Sequence, residues 1–211
     1  MSRAWVVGAF ATGPVNQWGG STAIIADISA SDPQSGLPQD VLYLFGTDFG
    51  AAAWSNPLDG VRCAVSASSH PSSTPPERLG DRTANYFQTN NAPGSWIVID
   101  FDPGAAGVRV NLDAFAWQHV PDFSNSRLQF LVVESGTGPS VGGATWSTVA
   151  TISDTNFLPN TTGGWSDVLA LTERPDPYRF VRVRSTGLDS SGFNNFVGSE
   201  VILGGEVFGV G

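Results

Sequence analysis

Gly94–Phe101, GSWIVIDF, decides the fold. The apolar run is entered through one turn (Ala92, Pro93, Gly94, Ser95) and left through another (Asp102, Pro103, Gly104). Side chains alternate along a strand, so Trp96, Val98 and Asp100 point one way and Ser95, Ile97, Ile99 and Phe101 the other. Both faces are mostly apolar, which predicts a central strand covered on each side.

Outward from this strand the chain breaks into short apolar pieces bounded by turn residues. Asp40–Gly46 (DVLYLFG), Val61–Ser69, Gly107–Gln118, Arg127–Glu134, Ala144–Ile152, Trp165–Leu171 and Tyr178–Ser185 read as strands, followed by a last pair, Asn195–Leu203 and Glu206–Val210. Arg78–Phe87 reads as a loop or a single helical turn. The strands recur at the roughly 8–12-residue spacing of an antiparallel sandwich. No segment holds a 3.6-residue period for long, and no internal repeat is evident. Ala4–Phe10 and Thr22–Ile28 form two further strand candidates ahead of the loop Ser29–Gln39. Residues 1–38 therefore read as an N-terminal β arm or added hairpin, too small to form a core alone. Residues 39–211 read as an all-β, antiparallel, jelly-roll-like β-sandwich.

The composition agrees with a folded domain: 41% of the 211 residues are hydrophobic and only 14% charged. The net charge of −9 argues against nucleic acid, whose phosphates need a basic patch, and against an anionic membrane. All ten cationic residues are arginine, which we read as coding bias. A single cysteine, Cys63, excludes an internal disulfide and a cysteine metal cluster, and reads as a small buried hydrophobe. No apolar run reaches the roughly 18–20 residues of a spanning helix. The N-terminal patch is interrupted by Gly8 and does not read as a secretion signal, so the expected location is the cytoplasm or a virion.

Five pieces stand in a telling order: VRCAVSASSH (Val61–His70), RLGDRTANYFQTNNAPGSWIVIDF (Arg78–Phe101), RLQFLVVES with TWSTV (Thr145–Val149), YRFVRVRSTGLDSSG (Tyr178–Gly192) and VILGGEVFG (Val201–Gly209). From about Asp40 onward this order resembles the coagulation factor 5/8 type C, or discoidin-like, domain of the galactose-binding-like β-sandwich superfamily. Two features depart from it. Ser135-Gly136-Thr137-Gly138, with an insertion to Gly143, replaces the usual Gly-Ser-x-Asp-Gly turn, and the disulfide of extracellular members is absent. The resemblance implies binding by loops at one end of the sandwich, and it names no ligand.

The chemistry-bearing residues are few. Only His70 and His119 are present, and neither a Gly-x-Ser-x-Gly elbow nor an HExxH spacing accompanies them. Asp100 and Asp102 could in principle flank a sugar as a carboxylate pair. Their place at a strand end and in an Asp-Pro-Gly turn favours a turn-forming role for Asp102. The expectation is a chain without catalytic residues. The resemblance implies a possible calcium beside Asp81, with Glu206 as the acid of the last strand; the competing reading is an Asp81 bond to Arg82 or to backbone. No other cofactor is expected.

The ligand-binding candidates are Trp117, His119, Asp122, Arg82 and Asn85, with Trp165 and Asn194 beside them, because sugars stack on aromatics and bond to planar polar groups. Sandwich core is the competing reading for Trp117 and Trp165. Arg182 and Arg184 share a face with Phe180; their stems are expected to lie on the sandwich while their heads stay in water or pair with acids.

Two functions compete. The one preferred from sequence is a structural or attachment subunit of a phage virion, in the capsid decoration or tail, oligomerising with other protein subunits by strand addition through the arm and with glycans as possible partners. The alternative is a free-standing carbohydrate-binding module of a bacterial protein.

Overall fold

A computed structural model describes residues 22–27, 41–47, 53–83, 85–120, 127–159, 161, 163–172 and 174–210. Its elements are β1 (Thr22–Asp27), α1 (Val41–Gly46), β2 (Ala64–Ala67), β3 (Phe87–Gln88), β4 (Trp96–Asp100), β5 (Arg109–Trp117), β6 (Phe130–Thr137), β7 (Thr145–Ser153), β8 (Leu169–Ala170), β9 (Phe180–Ser185), β10 (Val197–Gly198) and β11 (Val201–Val210). A short 3-10 turn, Pro76–Gly80, precedes β3.

The GSWIVIDF stretch is β4, and it is central. It pairs with β2 on one side and β9 on the other, within a five-stranded antiparallel sheet ordered β2-β4-β9-β6-β7. The opposing sheet is ordered β1-β11-β5-β8. Ile97 and Ile99 face it, with Leu131, Val133, Val181 and Val183 alongside, against Leu112, Phe115, Trp117, Leu203 and Val207. Each such side chain contributes about 1.5–3 kcal/mol by leaving water. The other face of β4 is covered as well: Val98 is only 1% exposed, and Asp100 accepts two 2.7 Å bonds from the Arg179 guanidinium.

The arginines of β9 behave as the sequence suggests. Arg182 donates to Glu134 at 2.7 Å, and its guanidinium lies 4.2 Å from the centre of the Trp146 ring. That ring in turn lies across Gly136, where a Cβ would come within 2.6 Å of it. Arg184 sits farther from the same carboxylate, at 3.6 Å.

Three local expectations change. Asp40–Gly46 was expected as a strand, yet Val41–Gly46 is helical. Val41, Leu44 and Phe45 are buried, an i, i+3, i+4 set that puts apolar groups on one side of a helix. Trp165–Leu171 supplies only a single bridge, Gln118 to Trp165, and the two residues of β8. The last pair of strands becomes β10 and one continuous β11. Ala4–Phe10 lies outside the described residues. The second arm strand forms as β1 and pairs with β11 from Thr22↔Val210 to Asp27↔Glu206, at the edge of its sheet.

One irregularity decides which side chains of β5 face the core. Along β5 and β11 the register passes from Ala114↔Gly204 to Leu112↔Gly205, so Asp113 is an extra residue in β5. Gly205 absorbs this bulge at φ +149, where a side chain would meet the Asn111 and Leu112 backbone. Before the bulge the even positions Val110 and Leu112 face the core; after it the odd positions Phe115 and Trp117 do.

Cys63 is 0% exposed, and burial pushes its thiol far above its ordinary range. Native protein is therefore expected to resist a disulfide reagent such as dithionitrobenzoate and to react only on unfolding; prompt native labelling would contradict this burial.

Candidate functional site

Three connections meet at one end of the sandwich: residues 68–75 after β2, 89–95 before β4, and 186–196 between β9 and β10. The first is tied to β4, since Ser68 N donates to Trp96 O at 2.9 Å and Trp96 N to Ser68 Oγ at 3.2 Å. Thr74 Oγ1 reaches Gln88 O at 3.3 Å. His70 is exposed, with Nδ1 2.9 Å from Pro71 O.

The 186–196 connection is held stiffly. Asp189 Oδ1 accepts from Ser191 N and Phe193 N, both at 2.9 Å, an Asx-type arrangement that fixes the tip. Gly192, at φ +80, makes the turn without a Cβ penalty. Ser190 N donates to Arg127 O at 3.0 Å, and Arg127 N to Ser190 Oγ at 3.0 Å. On its other flank Thr89 N donates to Phe196 O at 3.0 Å, and Asn194 N to Asn91 Oδ1 at 2.8 Å.

This scaffold holds Phe193 out to solvent, 52% exposed. Asn90 and Asn91 are exposed beside it, and Asn194 is half-buried. The Asn91 oxygen is engaged by Asn194 N, and the exposed amide retains its two N–H donors. An aromatic face flanked by amides suits a neutral ligand with one apolar side and several hydroxyls.

No protein-family model matches the sequence, and no curated protein does. Solved structures do match in shape. CpGH89CBM32-5 from Clostridium perfringens, in complex with GalNAc-β-1,3-galactose, superposes at a TM-score of 0.52 with 10% identity, covering 70% of this chain and 98% of its own. Chitosan-binding module 2 of a chitosanase/glucanase from Paenibacillus sp. IK-5, in complex with chitotriose, gives 0.52 with 14% identity, covering 69% and 98%. CBM32-3 from a family 31 glycoside hydrolase of Clostridium perfringens gives 0.52 with 13% identity, covering 73% and 94%. The fold is the discoidin-like, galactose-binding-like β-sandwich.

Within this discoidin-like sandwich the sequence candidates scatter. Trp117 is 0% exposed; its Nε1 donates to Val197 O at 3.0 Å, and its ring sits 5.3 Å from that of Phe196. His119 is also 0% exposed, with its backbone N on Gly164 O at 2.8 Å and Nδ1 3.3 Å from Thr161 O. Both side chains lie in the interior: the β5 bulge turns Trp117 inward, and His119 is bonded to Thr161 and Gly164. Asp122 lies outside the described residues. Arg82, at φ +55, stacks its guanidinium 4.5 Å from Tyr43 and 5.4 Å from Trp54, and lines a small cavity with Glu200. Asn85 is exposed but donates to Asp81 Oδ2 at 3.2 Å. Trp165 is half-buried at its bridge to Gln118. Of the sequence candidates among the described residues, Asn194 alone belongs to the loop that carries Phe193.

Phe193 and Asn91 escaped the sequence reading. The signal available for Phe193 was an aromatic directly after the Asp-Ser-Ser-Gly turn, where no alternation assigns it to a core.

The calcium expectation meets a poor donor set. Asp81 Oδ1 accepts from Thr83 N at 2.9 Å and from Thr83 Oγ1 at 2.6 Å, while Oδ2 takes Asn85, so its bonds close a local turn. Glu206 lies opposite Asn111 in the sheet. Among the described residues no three acid, histidine or cysteine side chains gather, and calcium takes six to eight oxygens. These residues do not fit the ion. Asp100 and Asp102 are likewise engaged: Asp100 with Arg179, and Asp102, 3% exposed, with Gly107 N and with Arg109 at 2.9 Å.

Proposed function

We propose that this chain is a non-catalytic carbohydrate-recognition module that binds neutral glycan at the 186–196 loop end. The observation that carries the proposal is Phe193, a half-exposed ring presented by a loop whose own backbone bonds leave it little freedom. Burying an exposed aromatic against a sugar's apolar face gains hydrophobic energy at little entropic cost, since the platform is already ordered. The neighbours of the same fold solved with GalNAc-β-1,3-galactose and with chitotriose support this reading. Nothing in the fold or its neighbours speaks for the virion subunit preferred from sequence, and the carbohydrate-binding module is the reading they favour.

The test is a screen of the whole chain on a glycan array, followed by titration of the best sugar into Phe193→Ala. Wild type is expected to bind, and the variant to lose affinity by about tenfold or more. The melting temperature should stay put, because surface changes away from special features have small effects. A wild type that binds no glycan overturns the recognition reading; binding unchanged in Phe193→Ala moves the site elsewhere.

A further inference from the structure

At the end of the sandwich opposite the Phe193 loop, a groove of about 210 Å³ opens between α1, the segment before β2 and the β4–β5 turn. Phe45, Val61, Phe101, Ala106 and Val108 supply its apolar wall. Val61 is 78% exposed, a strongly exposed aliphatic side chain at the edge of a cavity. The two charged residues of the lining already have partners within the fold. Arg62 donates to Asp59 at 2.7 Å, to Asn56 O at 2.7 Å and to Phe45 O at 3.1 Å. Asp102 accepts from Gly107 N at 3.1 Å and from Arg109 at 2.9 Å. The groove therefore offers an incoming group apolar contact and little charge.

The strand register places a specific occupant beside it. Thr22 pairs with Val210, and two positions back along β11 Phe208 pairs with Arg109, the residue after Val108. Thr22 is thus level with the start of β5 and two strands away from it, about 10 Å at the spacing of neighbouring strands. The chain preceding Thr22 reaches the sheet at the end where the groove opens. That chain contains Trp5-Val6-Val7-Gly8-Ala9-Phe10, followed by residues 11–21 with Gly13, Pro14, Gly19 and Gly20. Eleven residues reach roughly 35 Å when extended, so the span to the groove lies well within range. A segment tethered this closely has a high effective concentration for its own domain.

We propose that the groove is the docking site of the chain's own N-terminal apolar segment, Trp5–Phe10, which seats in it intramolecularly and covers Val61. The segment then contacts its own domain, in place of pairing with a neighbouring subunit.

Two measurements on the full-length protein test this. In the first, Val61→Cys is combined in turn with Val6→Cys, Val7→Cys and Phe10→Cys, oxidised gently, and read by non-reducing electrophoresis and peptide mass. The expected result is a disulfide-linked monomer as the main product for at least one pair. Linked dimers in its place would assign the groove to a second copy and overturn the proposal; so would the absence of a link at every pair. In the second, Val61→Asp is expected to lower the melting temperature by about 2–4 °C. Val7→Asp should do the same, and the double variant no more than either alone, because both remove one contact. A groove without an occupant predicts no change for Val61→Asp, since the side chain would already be in water, and that result would overturn the proposal.

Discussion

Replacing Trp117 by alanine is expected to lower the melting temperature by on the order of 10 °C, the largest effect of any single substitution considered for this chain. The ring is fully buried, sits 5.3 Å from Phe196 and 6.1 Å from Phe115, and is fitted to the bare backbone of Gly198. Truncation of a buried aromatic costs about 3–5 kcal/mol, part of it the lost transfer energy and part the cavity left behind. The carbonyl of Val197, which accepts the indole N–H at 3.0 Å, also loses its partner in a buried place. Total stability of a domain is about 5–15 kcal/mol, so the variant should remain folded but clearly weakened. Thermal unfolding followed by near-ultraviolet circular dichroism measures it. Were Trp117 a sugar platform, the same variant would melt normally and lose only binding.

The second large effect concerns the ion pair on the outer face of β4. Asp100→Ala should cost about 3 kcal/mol, because it leaves the Arg179 guanidinium, 13% exposed, without its carboxylate. Both Arg179–Asp100 bonds are 2.7 Å long, and the carboxylate also accepts from Asp102 N at 2.9 Å. The pair thus fixes both the end of the β4–β9 pairing and the start of the following turn. Arg179 gains as well: its hydrogen bond to Asp100 holds the guanidinium in its charged form even more firmly than usual. The companion variant, Arg179→Met with Asp100→Ala, should recover much of the loss, since removing both charges removes the unpaired one. Chemical denaturation of the two variants reads the difference; equal losses in both would show that lost contact area, and not the stranded charge, sets the cost.

Much of the fold is legible in the sequence because strand alternation is a local property. Ile97, Ile99 and Phe101 of GSWIVIDF were assigned to one face from their spacing, and all are at 0% exposure. The turn at Asp102 was readable from Asp-Pro-Gly, whose carboxylate caps Gly107 N. Helix α1 was not readable, since six apolar-rich residues fit a strand or a helix equally until the tertiary contacts choose.

The site was much less legible. Alternation from Val110 and Leu112 would send Phe115 and Trp117 outward, and the extra residue Asp113 reverses that. A bulge has no reliable mark in one strand's sequence, because it depends on what the partner strand, here β11 with Gly205, allows. Phe193 is the converse case. Its exposure follows from bonds to Asp189 nearby and from those tying its loop to Asn91, 103 positions away from Asn194. The sequence by itself determined the central strand, the sandwich and the places of its turns, all set by periodicity over a few residues. Only the tertiary structure decided which aromatics are core and which meet solvent, because that depends on register and on contacts between segments far apart in the chain.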